Sequence, residues 1–189
     1  MKTKLTGNTG KDNAMNDELL SILKDASTAQ IREYYTSHPG ILPVLIDYAL
    51  EKGEYSWRAA YMIAINVKKE NPLIARNANR IIDALEGKKQ GHQRELLKIL
   101  LLTELNEEQS LRLYDYCMQV WNETSHTPSL REKAFRHIIS FYRKYPELSG
   151  DLDWITQEQY LTPLSPGIRK VVERLKRKYI STGSKKPNA

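Results

Sequence analysis

Apolar residues recur along this chain three and four positions apart, which is the spacing of one face of an α-helix. Residues 73–85 illustrate it with Ile74, Ala78, Ile81, Ile82 and Leu85. The same spacing predicts helices over 57–68, 107–121, 129–143 and 168–180, and shorter ones over 17–24, 28–36 and 41–52. A half-buried strand would alternate strictly between apolar and polar residues, and no segment does so. The pattern therefore predicts an all-α protein.

Residues with helix-boundary chemistry stand at the ends of these segments. Ser56 and Asn106 precede two of them, and the side-chain oxygen of either residue can accept a hydrogen bond from a free amide at a helix start. Pro72, Pro128 and Pro166 suit the first turn of a helix, where the missing N–H is not needed. The boundaries therefore agree with the periodicity.

A charged pair recurs once per predicted helix pair. Four arginines that open helices are separated by 36, 37 and 38 residues, namely Arg58, Arg94, Arg131 and Arg169. The preceding helices carry a matching acid, namely Asp47, Asp83, Asp115 and Asp153. A short turn between the helices would bring each acid close to the next arginine. One helix pair cannot bury its apolar face alone, so successive pairs must stack.

This pattern resembles the HEAT and armadillo repeats, over roughly residues 30–180. The resemblance implies an all-α, right-handed α-α superhelix, a solenoid of about four helix pairs. It also implies that the recurring arginines and aspartates form a structural ladder between neighbouring repeats. The concave surface, lined by the second helices, would then bind a partner. The chain departs from the family by lacking the proline often found inside the first helix, and its terminal units are incomplete, as end caps would be.

Charge is distributed unevenly along the chain. The net charge is +6, of which residues 1–13 carry +2, residues 14–168 carry −3 and residues 169–189 carry +7. We expect a flexible leader over 1–13, one helical-repeat domain over 14–180 and a flexible basic tail over 181–189. The basic C-terminal helix is a candidate for contacting nucleic-acid phosphates. Its candidate residues are Arg169, Lys170, Arg174, Arg177 and Lys178.

Cysteine usage and hydropathy indicate the compartment. Cys117 is the only cysteine, so no internal disulfide can form. The longest apolar run, 99–102, is far too short to span a bilayer, and the N-terminus lacks the apolar core of a secretory signal. These features predict a cytoplasmic protein that does not enter the membrane.

Residue patterns of catalysis are scarce. The chain has no glycine-rich phosphate loop, and its four histidines lack the spacing of metal ligands. We therefore expect no enzyme activity, no cofactor and no metal, and the favoured hypothesis is a scaffold that binds a protein or peptide through the concave surface. The alternative is nucleic-acid binding through the C-terminal helix. A third possibility resembles the helical-repeat DNA glycosylases, with Trp57, Trp121 and Asp115 in a groove. The sequence leaves the oligomeric state open.

Overall fold

The computed structural model describes the backbone of residues 9–183 and the side chains of residues 17–181. Within that range the regular structure is helical, and no residue lies in a β-strand. Two compact units, Met1–Val67 and Lys68–Ala189, each have their own core. Because residues 1–8 and 184–189 lie outside the described part, most of the predicted leader and tail does too. The helical structure nevertheless enters both predicted segments, since the first helix begins at Thr9 and the last ends at Gly183.

The N-terminal unit contains four helices. They are α1 (Thr9–Asp25), α2 (Thr28–Ser37), α3 (Leu42–Leu50) and α4 (Ser56–Asn66). Ser27 starts α2 with a capping box, since its hydroxyl accepts from the Gln30 amide while the Gln30 side chain accepts from the Ser27 amide. The helix α4 packs against α2 and α3. The core between them is aliphatic, with Leu19, Leu23, Ile31, Leu45, Ile46, Ala60 and Ile63 almost fully buried.

The C-terminal unit contains the remaining elements. They are α5 (Pro72–Arg76), α6 (Ala78–Asp83), α7 (Gln90–Leu100), α8 (Glu107–Asn122), α9 (Pro128–Lys144), a 3-10 helix (Pro146–Asp151), α10 (Leu152–Ile155), α11 (Glu158–Leu161) and α12 (Pro166–Gly183). Only residues 123–127 join α8 to α9, so these two helices form a hairpin, and their contact is the most extensive in the unit.

Two layers of helices make up the C-terminal unit. The helices α7, α9 and α12 form one layer, in which α9 lies between the other two. We call it the first-helix layer. The second-helix layer contains α6 and α8, and α6 packs against α7 as α8 packs against α9. The core between the layers includes Leu96, Leu97, Leu113, Cys117, Trp121, Phe135 and Ile138. Stacked helix pairs of this kind are the arrangement that the sequence predicts.

The all-α prediction is confirmed, and most predicted helices lie within two residues of their observed bounds. The right-handed sense of the superhelix and the single domain over 14–180 remain predictions. The continuous helix over 73–85 is wrong, because the chain breaks at Asn77 between α5 and α6. The expected cap at Ser56 is also wrong, since Ser56 is the first helical residue and its hydroxyl donates to the Gly53 carbonyl.

Candidate interaction surfaces

Arg131 is the most deeply buried of the four recurring arginines. Its guanidinium donates to the Trp121 carbonyl in the last turn of α8, at 3.0 and 3.1 Å, and to the Tyr160 carbonyl in α11, at 2.9 Å. It also lies over the Trp121 ring, 4.7 Å from the ring centre. Burial lowers the pKa of Arg131 from its ordinary value. The last carbonyls of a helix have no partner within that helix, and Arg131 supplies one for both helices.

The predicted pairing of arginine with aspartate needs correction at each step. Arg58 donates to the Ala26 carbonyl just beyond the end of α1. Arg94 pairs with Glu95, and Arg169 pairs with Glu158 and Glu173. Each of the four arginines therefore has an acceptor other than an aspartate. Main-chain carbonyls and glutamates accept the hydrogen bonds of these guanidinium groups.

The four recurring aspartates are all exposed. Asp83 pairs with Arg112 of α8, and Asp153 pairs with Lys176 of α12 at 2.8 Å. Asp47 lies on α3, and Asp115 lines a depression along α8. Exposed ion pairs contribute little to stability because water and salt screen them. The recurrence of these acids therefore does not build a buried ladder.

Two buried glutamates hold cations at the surface of the first-helix layer, and sequence reasoning missed both. Glu95 of α7 is fully buried and pairs with Arg94 at 2.7 Å and Lys98 at 2.8 Å. One repeat later, Glu132 of α9 pairs with Lys133 at 2.6 Å and with Arg136. The signal in the sequence is an Arg-Glu dipeptide at 94–95 and again at 131–132.

The exposed face of α12 is basic. Lys170, Arg174, Arg177 and Lys178 are all exposed, and their spacing places them on one stripe of the helix. Val172, almost fully buried, lies on the opposite side, where α12 packs against α9. We call these four residues the α12 stripe. Four of the five predicted nucleic-acid contacts therefore share one surface.

Arg169 stands apart from that stripe. Its guanidinium makes two hydrogen bonds to the Glu158 carboxylate, at 2.6 and 2.8 Å, and a third to Glu173. The bond to Glu158, followed by that to Glu173, raises the pKa of Arg169, and the same pair lowers the pKa of Glu158. Arg169 therefore connects α12 to α11 rather than presenting a charge to solvent.

A second surface follows α8 on the second-helix layer. Two depressions, of about 440 and 570 Å³, lie next to each other along α8 and share Tyr116 and Gln119 in their linings. We call the two together the α8 groove. Its charged lining is mainly acidic, with Asp83, Glu86, Asp115 and Glu123 against Arg112. A backbone hydrogen bond from Ser125 lowers the pKa of Glu123. The groove is therefore negatively charged at neutral pH.

Three polar atoms at the α8 groove have no hydrogen-bond partner among the described residues. They are Gln93 Oε1, Tyr116 Oη and His126 Nδ1, and each is buried. The amide nitrogen of Gln93 donates to the Leu85 carbonyl at 3.0 Å, which leaves its oxygen as the unused end. Burial raises the pKa of Tyr116, so its hydroxyl stays protonated. A buried polar atom without a partner is costly, so each one calls for an explanation, such as a bound ligand or an ordered water molecule.

A third cavity, of about 400 Å³, lies where α8 and α9 meet the loop after α7. His137 lines it, and its Nε2 bonds to the Leu97 carbonyl at 2.9 Å. Burial lowers the pKa of His137 to about 4, so the imidazole is neutral at pH 7 and donates from Nε2. Tyr114 and Phe141 stack in the wall of the cavity. These contacts fix the packing of α9 against α7 and α8.

The residues considered for catalysis do not form a site: Trp121 and Cys117 are buried, and Trp57 lies in a different unit. Trp121 is fully buried, and its indole N–H donates to the Ile155 carbonyl at 2.8 Å, so it cannot stack on a base in an open groove. Trp57 is 44% exposed on α4, in the other unit. Cys117 is buried, and burial raises the pKa of its thiol well above the ordinary value.

Among the described residues, no group of histidine, cysteine and carboxylate side chains could hold a metal ion. In that same part of the chain, no helix has the length and apolar character that crossing a membrane requires.

The repeat architecture agrees with the comparisons with known proteins. A family model described as HEAT repeat domain matches residues 15–179, which is nearly the whole described chain. No curated protein and no solved structure matches this chain. The match spans both compact units, and the stacked helix pairs of the C-terminal unit are what such repeats form. The chain therefore belongs to the HEAT repeat domain family.

Proposed function

We propose that this protein is a non-enzymatic scaffold that binds a protein or peptide partner through the α8 groove. HEAT repeats commonly serve as interaction scaffolds, and their binding surfaces are lined by the second helices. The α8 groove lies on the second-helix layer of the C-terminal unit. The single observation that carries the proposal is the set of three unpartnered polar atoms beside this groove.

The charge of the groove supports a partner segment that is basic. Asp115 and Glu86 are exposed, and Arg112 is already paired with Asp83. Gln93 Oε1 can only accept hydrogen bonds, so it requires a donor such as an arginine or lysine side chain. Because the unpartnered atoms are covered in the free chain, binding requires a side chain such as exposed Gln119 to change rotamer, which is common at interfaces.

Site-specific photo-crosslinking in cells tests the scaffold. A photoreactive amino acid at Gln119 or Asp115, in the groove, is expected to capture the same partner protein. The matched control is Ser140, which is exposed on α9 in the first-helix layer. Capture of that partner at all three positions, or capture at none, would contradict the proposal.

A reducing compartment, the cytoplasm, fits this function. Cys117 is a free, fully buried thiol with no disulfide partner. Its core position at the α8–α9 contact needs a small apolar side chain rather than a reactive one.

A second candidate function is nucleic-acid binding through the α12 stripe. The supporting observation is that four cations share one exposed stripe, and that the only acid of α12, Glu173, is bonded to Arg169. Contacts with phosphates release counterions, so affinity for a DNA duplex should fall steeply with salt. Replacing Lys170, Arg174, Arg177 and Lys178 with glutamine should greatly weaken that affinity, whereas Arg169→Gln should leave the salt dependence unchanged. Unaltered binding by the fourfold variant would exclude this function.

A further inference from the structure

We propose that the outer face of α7 and α9 carries additional contacts to a nucleic-acid backbone, made by two arginine–lysine pairs that buried glutamates hold in place. This inference rests on the second candidate function and extends it from one helix to the whole first-helix layer. The two pairs are Arg94 with Lys98 on α7, and Arg136 with Lys133 on α9.

The packing of the helices decides where these pairs point. The helix α9 contacts α8 on one side and α7 and α12 on its flanks, which leaves a single exposed face. That face consists of Ser129, Lys133, Arg136, Ser140 and Arg143. On α7, Gly91, Arg94 and Lys98 are not buried and follow one another at helical spacing, whereas half-buried Gln93 lines the α8 groove. Both faces therefore lie on the side of the layer away from α6 and α8.

The buried glutamates make each pair a prepared anion site. Glu95 is fully inaccessible to solvent, while 35% of the Arg94 side chain and 32% of the Lys98 side chain remain exposed. The arginine of each pair uses part of its hydrogen-bonding capacity on the carboxylate, since a guanidinium has five N–H groups. Holding the side chains in one geometry removes part of the entropy that an anion would otherwise have to overcome.

The outer face has a net positive charge despite the glutamates. Each group of two cations and one carboxylate carries +1, and Arg143 of α9 adds another charge with no acid on the exposed stripe. The neighbouring helix α12 contributes the four further cations of the α12 stripe. Packed helices lie about 8–10 Å apart, so the charge groups on the adjacent helices α7 and α9 belong to one surface.

The chemistry of the outer face favours nucleic acid over other anionic partners. Its exposed residues on α7 and α9 are arginine, lysine, serine and glycine. A membrane surface is bound by apolar side chains that insert beside the cations, and a protein interface has an apolar or aromatic centre. Backbone contacts to DNA need neither, because charge neutralisation and hydrogen bonds to phosphate oxygens supply the affinity.

Fluorescence anisotropy with a labelled DNA duplex of mixed sequence, over a range of KCl concentrations, tests the inference. Two variants of the full-length protein each remove a complete charge group, so no carboxylate is left buried without a partner. They are Arg94→Gln/Glu95→Gln/Lys98→Gln and Glu132→Gln/Lys133→Gln/Arg136→Gln. A matched control removes two cations and one acid from the exposed segment before α5, in Lys68→Gln/Lys69→Gln/Glu70→Gln.

Each group variant removes a net charge of +1. It is therefore expected to bind about tenfold more weakly at 0.1 M salt, with a salt slope that is smaller by about 0.9. The control should bind like the unaltered protein, and circular dichroism should report the same helix content for all. Should a group variant fail to fold, the affinity of Arg143→Gln for DNA tests the inference instead. Arg143 is exposed on the same stripe of α9, so this substitution removes one phosphate contact without disturbing a buried group.

The outcomes separate this inference from the function on which it rests. If the α12 variant loses DNA while both group variants and Arg143→Gln keep it, the outer-face contacts are wrong and the second candidate function stands. If neither the α12 variant nor the outer-face variants lose affinity for DNA, the outer-face contacts and the second candidate function are both wrong. Equal affinity for anionic lipid vesicles or for polyglutamate would also overturn the choice of nucleic acid.

Discussion

At the scale of single residues, Arg131 has the largest structural role among the recurring arginines. It is a buried cation whose acceptors are two main-chain carbonyls rather than a carboxylate. Removing one side of a buried charged interaction leaves the other side without a partner. We therefore expect Arg131→Ala to lower the free energy of unfolding by about 3 kcal/mol, measured by equilibrium unfolding in urea.

The control for Arg131→Ala is Arg174→Ala, which removes the same side chain from the exposed α12 stripe. Exposed substitutions of this kind change the free energy of unfolding by less than about 0.5 kcal/mol. A loss below about 1 kcal/mol in Arg131→Ala would mean that the two carbonyls find other donors.

His137 makes the stability of the protein depend on pH. Its pKa is lowered to about 4 in the folded chain, against an ordinary value near 6.5 in the unfolded chain. Between these values the unfolded chain binds more protons, so the free energy of unfolding falls as the pH falls from about 6.5 to about 4. The slope from this residue alone approaches about 1.4 kcal/mol per pH unit.

The measurement is the free energy of unfolding in urea at several pH values, for the unaltered protein and for His137→Gln. The difference between the two proteins is then compared across pH. Glutamine keeps an N–H donor for the Leu97 carbonyl but does not titrate, so the variant should lose stability more gradually below pH 6.5. Because carboxylates titrate in both proteins, only the difference between the two curves is informative. Parallel curves would show that His137 remains accessible to protons when folded.

The sequence predicts which residues matter more reliably than it predicts what they contact. The recurrence of Arg58 and Arg131 correctly marks positions of structural importance. Their carbonyl acceptors could not be foreseen, because every residue carries a carbonyl and only the folded chain decides which ones lack a partner. The repeated Glu95 and Glu132 were equally hidden, since a glutamate beside an arginine usually lies on a solvated face.

At the scale of helices, periodicity predicts long elements and fails at local breaks. The helices α8 and α9 fall within a residue of their predicted ends, and Asn106 starts α8 with the expected cap. Asn77 interrupts the predicted helix over 73–85, and its side-chain amide donates to the Leu73 carbonyl at 2.8 Å. An asparagine can compete in this way for helix carbonyls, which a count of apolar positions does not register.

Attachment of α12 to α9 depends on a contact that includes Val172 and on Tyr179, whose hydroxyl donates to the Tyr142 carbonyl at 3.4 Å. Val172 is 1% exposed there, and the flanking polar contacts of Arg169 and Lys176 are with α10, α11 and the turn after α10. We expect Val172→Asp to detach α12, since a carboxylate buried without a partner is strongly unfavourable. Hydrogen exchange should then show loss of amide protection in 166–183 before the rest of the C-terminal unit.

The matched substitution Arg174→Asp places the same side chain on the exposed face of α12. It should leave amide protection nearly unchanged. Equal loss of protection in both variants would show that the introduced charge, rather than its burial, loosens the helix.

At the scale of the whole molecule, the net charge conceals two surfaces of opposite sign in the C-terminal unit. The basic C-terminal helix was predicted from charge counts along the chain, and the α12 stripe agrees with it. The acidic α8 groove could not be predicted in the same way. Its carboxylates come from segments as separate as Asp83, Asp115 and Glu123, and only the packing of α6 beside α8 brings them together.

The two compact units lead to a prediction about cooperativity. A repeat protein is stabilised by each element and its neighbours, so a local defect weakens nearby structure most. Ile63 in the N-terminal unit and Ile138 in the C-terminal unit are both buried, and replacing either with alanine should destabilise its surroundings by about 2–5 kcal/mol. We expect Ile63→Ala to reduce amide protection mainly in Met1–Val67, and Ile138→Ala mainly in Lys68–Ala189.

Native-state hydrogen exchange on both variants distinguishes two cooperative units from one. Because the substitutions are chemically identical and equally buried, each variant serves as the control for the other. If both reduce protection evenly from the first unit to the last, the chain unfolds as the single helical-repeat domain that the sequence predicts. If each variant loses protection only in its own unit, the two units unfold separately, with the boundary between them near Val67.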